Sequence, residues 1–308
     1  MSDRAPGGRP FLGYAEAVVA ACLWGSSGVF AVHLFRLGVP PETVALIRPL
    51  IGVVILLAGF LLTRPSALRI GARGLIVLGL GGGAAVGVFQ IAYQSSIDAA
   101  GVPTTVALLY LAPALVAAVS GPLLGEWPTP RRLALVALTL VGVWLTVVGA
   151  EDVPARFGAS GLGWGALAAA AYATYTLLGR YATPRFGSAC TVFYSTAGAC
   201  AFLALAVPAA PGPLTLPSGP EAWLLLVAFG ALTIAGAQFL FFDALGRIEA
   251  SSASVVTAVE PVVAALLATM LLSQGLSPVG WAGIALVVAG VAGVGITAPT
   301  EATSTTTA

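Results

Sequence analysis

Charged residues are scarce in this sequence. Only 8% of its 308 residues are Asp, Glu, Lys or Arg, whereas soluble domains carry about 25%. Apolar residues make up 58% of the chain, and its mean hydropathy is +1.00. Such a chain lacks the polar side chains to cover a soluble globule of this size, so lipid must solvate most of its exterior. A soluble fold is therefore excluded.

Residue types that bind metals or carry out covalent chemistry are also rare. The chain has one histidine, three cysteines scattered through apolar stretches, and no lysine. This composition excludes a disulfide framework, a Cys/His metal cluster and the lysine-containing phosphate loop of ATPases. No G-x-S-x-G turn or H-E-x-x-H helix is present either. We therefore expect no catalytic residue, no metal and no other cofactor, and the net charge of +1 indicates no nucleic-acid partner.

Apolar segments long enough to cross a bilayer, about 20 residues each, fill the chain between breaks of Pro, Gly and charge. The sequence predicts an all-α integral membrane protein with ten transmembrane helices. These helices cover residues 12–33, 42–62, 74–96, 102–123, 132–150, 160–180, 187–207, 221–243, 250–272 and 278–297. Most loops are too short for an extramembrane catalytic domain, and residues 298–308 are predicted to form a disordered tail.

The distribution of arginine predicts the orientation in the membrane. Ten arginines fall in the N-terminal segment 1–11 and in the loops on its side, whereas only Arg36 and Arg156 fall on the other side. Positive charge near span ends marks the cytoplasmic side. We therefore expect a multi-pass protein of the inner (plasma) membrane with both termini in the cytoplasm.

The chain carries an internal repeat. A shift of 148 residues aligns Gln90 with Gln238, Pro113 with Pro261 and Trp24 with Tyr172. The repeats are predicted to be residues 12–150 and 160–297, with five helices each. Because five is an odd number, the second repeat must enter the membrane inverted relative to the first. Two inverted repeats around a midplane site are the architecture of alternating-access transporters.

Several short motifs, in this order, resemble the EamA-like branch of the drug/metabolite transporter superfamily over essentially the whole chain. They are Leu23-Trp24-Gly25-Ser26, Arg48 in the second span, Leu111-Ala112-Pro113, Leu124-Gly125-Glu126 and Glu260-Pro261-Val262. The resemblance implies a ten-helix inner-membrane carrier rather than an enzyme. Such carriers commonly export amino acids or other small metabolites.

Two charged residues lie well inside predicted spans rather than at their ends, and each costs about 2.5–3.5 kcal/mol on insertion scales. Glu260 lies about 15 Å along its predicted helix, near the midplane. It is either a structural, neutral acid bonded to a neighbouring helix or a contact for solute or proton. Arg48 either extends to the outer interface or lines a cavity.

Uncharged polar and aromatic residues complete the candidate site. Gln90 and Tyr93 share one helix face, and Gln238 is the repeat partner of Gln90. They either bond neighbouring helices or contact solute. The aromatic candidates lie near span centres and either pack in the core or face a cavity. The predicted substrate-binding set is Trp24, Arg48, Gln90, Tyr93, Tyr110, Tyr172, Tyr175, Gln238 and Glu260.

The sequence thus favours a secondary transporter for a small amphipathic metabolite, with amino acids as the leading substrates and proton coupling as an open hypothesis. The alternatives are a membrane scaffold without transport and a carrier for other metabolites or drugs. Acidic residues at or near span ends are interpreted as solvated interfacial charges without a special role. These are Glu16, Asp98, Glu126, Asp243 and Glu249.

Overall fold

The computed structural model describes residues 10–149, 158–206, 215–272 and 275–296. The predicted disordered tail and most of the N-terminal segment lie outside these ranges. Within them the chain is almost entirely helical and contains no extended strand. Eight helical segments in the described ranges are long and apolar enough to cross a membrane. The chain is therefore an all-helical, multi-pass membrane protein.

The helices follow the predicted spans in order. Helices α1 to α7 cover Pro10–Gly25, Ser27–Arg36, Pro41–Thr63, Ala72–Leu75, Gly83–Leu109, Ala112–Leu124 and Pro130–Val148. Helices α8 to α14 cover Ala159–Phe186, Ser188–Ala206, Pro220–Phe229, Phe239–Arg247, Ala250–Val256, Val259–Leu272 and Pro278–Ile296. Two π-helical segments, Ile76–Gly82 and Gly230–Gln238, and one short 3₁₀ turn, Pro65–Leu68, lie between them. Helix α8 and the shorter apolar helix at Pro278–Gly293 are not among the eight long apolar segments.

The chain reverses direction within α5, although its helical backbone continues. The Thr105 hydroxyl donates a hydrogen bond to the Ser96 Oγ over 2.8 Å. A straight helix would separate these two residues by about 13.5 Å along its axis. The reversal therefore lies between them, where the sequence predicts the break between the third and fourth spans.

Three predicted spans are interrupted by a turn. The first breaks at Ser26, the fourth at Tyr110 and Leu111, and the ninth at Thr257 and Ala258. The expectation that Glu260 lies in the middle of an uninterrupted helix is wrong, because α13 begins at Val259. Its neighbour Pro261 then falls in the first helical turn, where its missing N–H costs no hydrogen bond.

Helices α7 and α14, the fifth spans of the two repeats, pack antiparallel. A Cβ on Gly149 would lie 2.2 Å from the backbone nitrogen of Gly280, and a Cβ on Gly293 would lie 2.5 Å from a Leu135 methyl group. The contacts therefore run in opposite directions along the two helices. Other contacts are reciprocal, since α5 of the first repeat packs on α8 of the second and α1 packs on α11. The two halves thus interdigitate.

Candidate solute cavity

A cavity of about 150 Å³ lies between the two halves of the chain. Its wall combines α1, α2, α3 and α5 of the first repeat with α8, α13 and the π-helical segment Gly230–Gln238 of the second. Two of the helix interruptions adjoin the cavity. Ser27 follows the turn at Ser26, and Glu260 follows the turn before α13; both residues line the cavity. The cavity is therefore built where both repeats contribute irregular helix.

The structure brings the predicted site residues together. Eight of them line the cavity, namely Trp24, Arg48, Gln90, Tyr93, Tyr172, Tyr175, Gln238 and Glu260. The ninth, Tyr110, lines an adjoining cavity of about 10 Å³. Tyr172 and Glu260 border both cavities. The predicted set is thus one contiguous surface, and its role in binding a solute stays a prediction.

Aromatic rings form one wall of the cavity around the buried Phe241. The Phe241 ring lies 5.2 Å from Trp24, 5.8 Å from Tyr175 and 6.4 Å from Tyr172, measured between centroids. Such offset and tilted arrangements are the favourable ones for aromatic pairs. The Trp24 indole N–H donates to the carbonyl oxygen of Thr233 over 2.9 Å and so joins the two repeats. These contacts hold the rings of Trp24, Tyr172 and Tyr175, which line the cavity.

Both ionisable spanning residues face the cavity. The Arg48 guanidinium carbon lies 4.7 Å from the centroid of the Phe229 ring, a cation–π distance. Glu260 occupies the first turn of α13. Neither residue belongs to any of the ion pairs found among the described residues. Of the two alternatives for Arg48, the structure shows the cavity position.

Sequence reasoning missed part of the lining. The additional residues are Ser27, Val86, Phe89, Leu109, Thr233 and Ile234. Val86 and Phe89 lie on the same helix face as Gln90 and Tyr93. Their three-to-four-residue spacing in the sequence was therefore a signal that could have identified them. Thr233 and Ile234 lie in a π-helical segment, whose altered register no regular spacing reveals.

Both halves of the chain match one known protein family. The model of the EamA-like transporter family matches residues 11–148 and again residues 159–296. The chain belongs to the EamA-like transporter family. The second match begins 148 residues after the first, the same offset that aligns the sequence with itself. The resemblance seen in the short motifs is thereby confirmed.

Two known proteins are similar to this chain over most of its length. The chain is 26% identical over 295 residues to the uncharacterized inner membrane transporter YicL of Salmonella typhimurium strain LT2, with 91% of this chain and 93% of that protein covered. A crystal structure of a protein that is 22% identical has a TM-score of 0.80 and covers 92% of this chain and 96% of its own. That structure shows the same fold.

At one end of the bundle, this EamA-like protein joins its two repeats through ion pairs. Glu16 accepts from Arg247 over 3.0 Å, and Glu126 accepts from Arg180 over 2.5 Å. A third inter-repeat pair joins Arg132 to Glu249. We refer to these three pairs as the ion-pair network.

The expectation of separately solvated acids is wrong at this end of the bundle. Glu16, Glu126, Asp243 and Glu249 all have arginine partners. Glu126 also accepts a hydrogen bond from the backbone N–H of Ala250, at the start of α12, over 3.0 Å. The side chain of Asp98 lies outside the described part. Every ion pair found in the described ranges lies at this end of the bundle.

Proposed function

We propose that this protein is a secondary transporter that moves a small amphipathic metabolite across the inner membrane by alternating access. The observation that carries the proposal is the cavity between the repeats, which combines aromatic surface with the isolated charges of Arg48 and Glu260. Ligand sites are typically apolar with a few convergent polar groups. A membrane scaffold without transport needs no such lined cavity.

The proposed architecture is ten membrane helices in two inverted repeats. The antiparallel packing of α7 and α14, which occupy equivalent places in the two repeats, supports the inversion. Interrupted helices at the repeat interface are typical of transporter sites. Rocking of one half against the other would expose the cavity to each side in turn, and the absence of an ATPase motif favours a gradient as the energy source.

The proposed substrates are amino acids or related metabolites, carried in the export direction. The cavity has a volume of about 150 Å³ in this conformation, whereas pockets that bind drug-sized ligands measure roughly 300–1,000 Å³. An engineered protein cavity of about 150 Å³ binds benzene, which sets the scale of the apolar group that fits. The size of the cavity therefore favours a small metabolite over a drug.

The proposed orientation places both termini, and with them the ion-pair network, on the cytoplasmic side. Single cysteines introduced as Arg69→Cys and Arg132→Cys, in a background without Cys22, Cys190 and Cys200, are expected to react with an impermeant thiol reagent only after the membrane is opened. Arg36→Cys is expected to react in intact cells and is the matched control. Labelling of position 69 or 132 in intact cells would overturn this orientation.

Reconstitution of the purified protein tests the transport proposal directly. Liposomes preloaded with an unlabelled amino acid are expected to take up the same labelled amino acid by counterflow, faster than protein-free liposomes do. Counterflow needs only alternating access, so it does not depend on the energy source. A panel of amino acids and related small metabolites that shows no protein-dependent flux would contradict the carrier function.

A further inference from the structure

Arg48 stands apart from the other arginines that line the helix bundle. Arg132, Arg180 and Arg247 each form an ion pair with a carboxylate of the other repeat. Arg48 lines the cavity and, among the described residues, forms no ion pair. Its buried Nε has no hydrogen-bond partner in the described part of the chain. Charges taken out of water are normally paired. Glu260 lines the same cavity and lies near enough to attract the Arg48 charge, but among the described residues no carboxylate is within ion-pair distance of this guanidinium.

The described residues around Arg48 hold its guanidinium in place without accepting a hydrogen bond from its Nε. The Phe229 ring contacts the face of the guanidinium at 4.7 Å and so uses none of its N–H groups. Phe229 itself is fully packed in a core cluster with Leu34 and Leu226. A planar guanidinium positioned in this way presents a fork of N–H donors that matches a carboxylate in two-point contact.

The other groups in the cavity limit which anion fits. Among the described residues that line this cavity, Glu260 is the only other one with a charged side chain, and the remaining polar groups are neutral amides, hydroxyls and an indole. A dianion such as a phosphate monoester would bring two negative charges into a cavity with one cation, Arg48, and one acid, Glu260, so one of its charges would have no partner. A carboxylate brings one negative charge.

We infer that Arg48 binds the carboxylate of the transported solute and thereby selects small organic carboxylates. This inference rests on the transport function proposed above. The aromatic wall around Phe241 then receives the apolar part of the solute, and the cavity volume of about 150 Å³ limits its size. Glu260, on the other repeat, remains available to an ammonium group or a proton.

Matched pairs of acids and amides test this assignment. The probes are L-valine, L-leucine and L-phenylalanine, each compared with its carboxamide, in counterflow into proteoliposomes. The wild-type protein is expected to half-saturate at roughly 10- to 150-fold lower concentrations of acid than of amide, the range for a hydrogen-bonded charged group. Arg48→Gln is expected to remove most of this discrimination by weakening acid binding, and Arg48→Lys to retain part of it.

Arg36→Gln is the matched control, because Arg36 is an exposed arginine at the end of α2 and does not line the cavity. It is expected to discriminate as the wild type does. Elution as a single species on size exclusion separates a binding defect from a folding defect, and Arg48→Lys keeps the charge if Arg48→Gln does not fold.

The outcomes separate this inference from the transport function. Equal transport of acids and amides by the wild type, or unchanged discrimination in Arg48→Gln, would overturn the role of Arg48 and leave the carrier intact. Protein-dependent flux of the amides without flux of the acids would also overturn the role of Arg48 and leave the carrier function intact. Flux of neither member of any pair would count against both.

Discussion

Proteoliposomes that carry Glu260→Gln are expected to lose solute accumulation driven by a proton gradient while they keep counterflow. A pH difference of about one unit stores about 1.4 kcal/mol, which supports roughly tenfold accumulation for each coupled proton. A carboxyl group can take up and release that proton, whereas an amide cannot. We assign this role to Glu260 as a hypothesis, because it borders the solute cavity and the small adjoining cavity with Tyr110.

The matched control is Glu221→Gln. Glu221 also lies in the first turn of a helix, α10, but it is exposed and does not line the cavity. This variant is expected to accumulate solute as the wild type does. If Glu260 only supports the structure, the glutamine introduced in its place should preserve its size and much of its hydrogen bonding. Normal proton-driven accumulation by Glu260→Gln would therefore remove Glu260 from the coupling step and leave a facilitative carrier.

The candidate site was largely predictable because three independent sequence signals converge on it. Glu260 and Arg48 stand out as charges inside apolar segments, which is costly unless they face a cavity or a partner. Gln90 and Gln238 stand out because the repeat aligns them. All four line the same cavity. Charge, spacing and repetition are local or periodic properties, so they can be read without knowledge of the tertiary contacts.

Helix interruptions and long-range partners could not be predicted in the same way. The turn at Thr257 and Ala258 lies in a run of small and β-branched residues that resembles the helices around it, and packing against neighbouring helices decides where such a run breaks. Glu16 and Arg247 are 231 residues apart. No local pattern joins residues at that separation, so each was interpreted as a separate charge at a span end.

The ion-pair network lies at one end of the bundle and joins the two repeats there. On α1, Glu16 lies eight residues from the cavity residue Trp24, a distance of about 12 Å. Between the network and the cavity lie the fully buried side chains of Phe241, Phe242 and Leu245. Since each pair joins one repeat to the other, we expect the network to oppose separation of the repeats at this end.

Arg180→Gln is therefore expected to shift the protein toward a conformation that is open at the network end. Arg180 donates to Glu126 and to the carbonyl oxygen of Leu245, over 2.5 and 2.9 Å. Loss of a hydrogen bond to a charged group costs about 1.5–3 kcal/mol, which corresponds to a shift of roughly 10- to 150-fold in the equilibrium. The measurement is the labelling rate of the cavity variant Val86→Cys, without the native cysteines, by an impermeant thiol reagent added from the network side.

Two further variants decide whether the lost pair is the cause of such a shift. Arg185→Gln removes an exposed arginine from the same helix that forms no ion pair within the described ranges, and it is expected to leave the labelling rate unchanged. The double variant Arg180→Gln/Glu126→Gln should increase the labelling rate by less than the product of the two separate fold-changes, because the two residues act as one pair.

If Arg180→Gln does not fold, Arg132→Gln provides the same test at the pair with Glu249, whose side chain is 41% exposed. A labelling rate that none of these changes alters would show that the network does not hold this end closed.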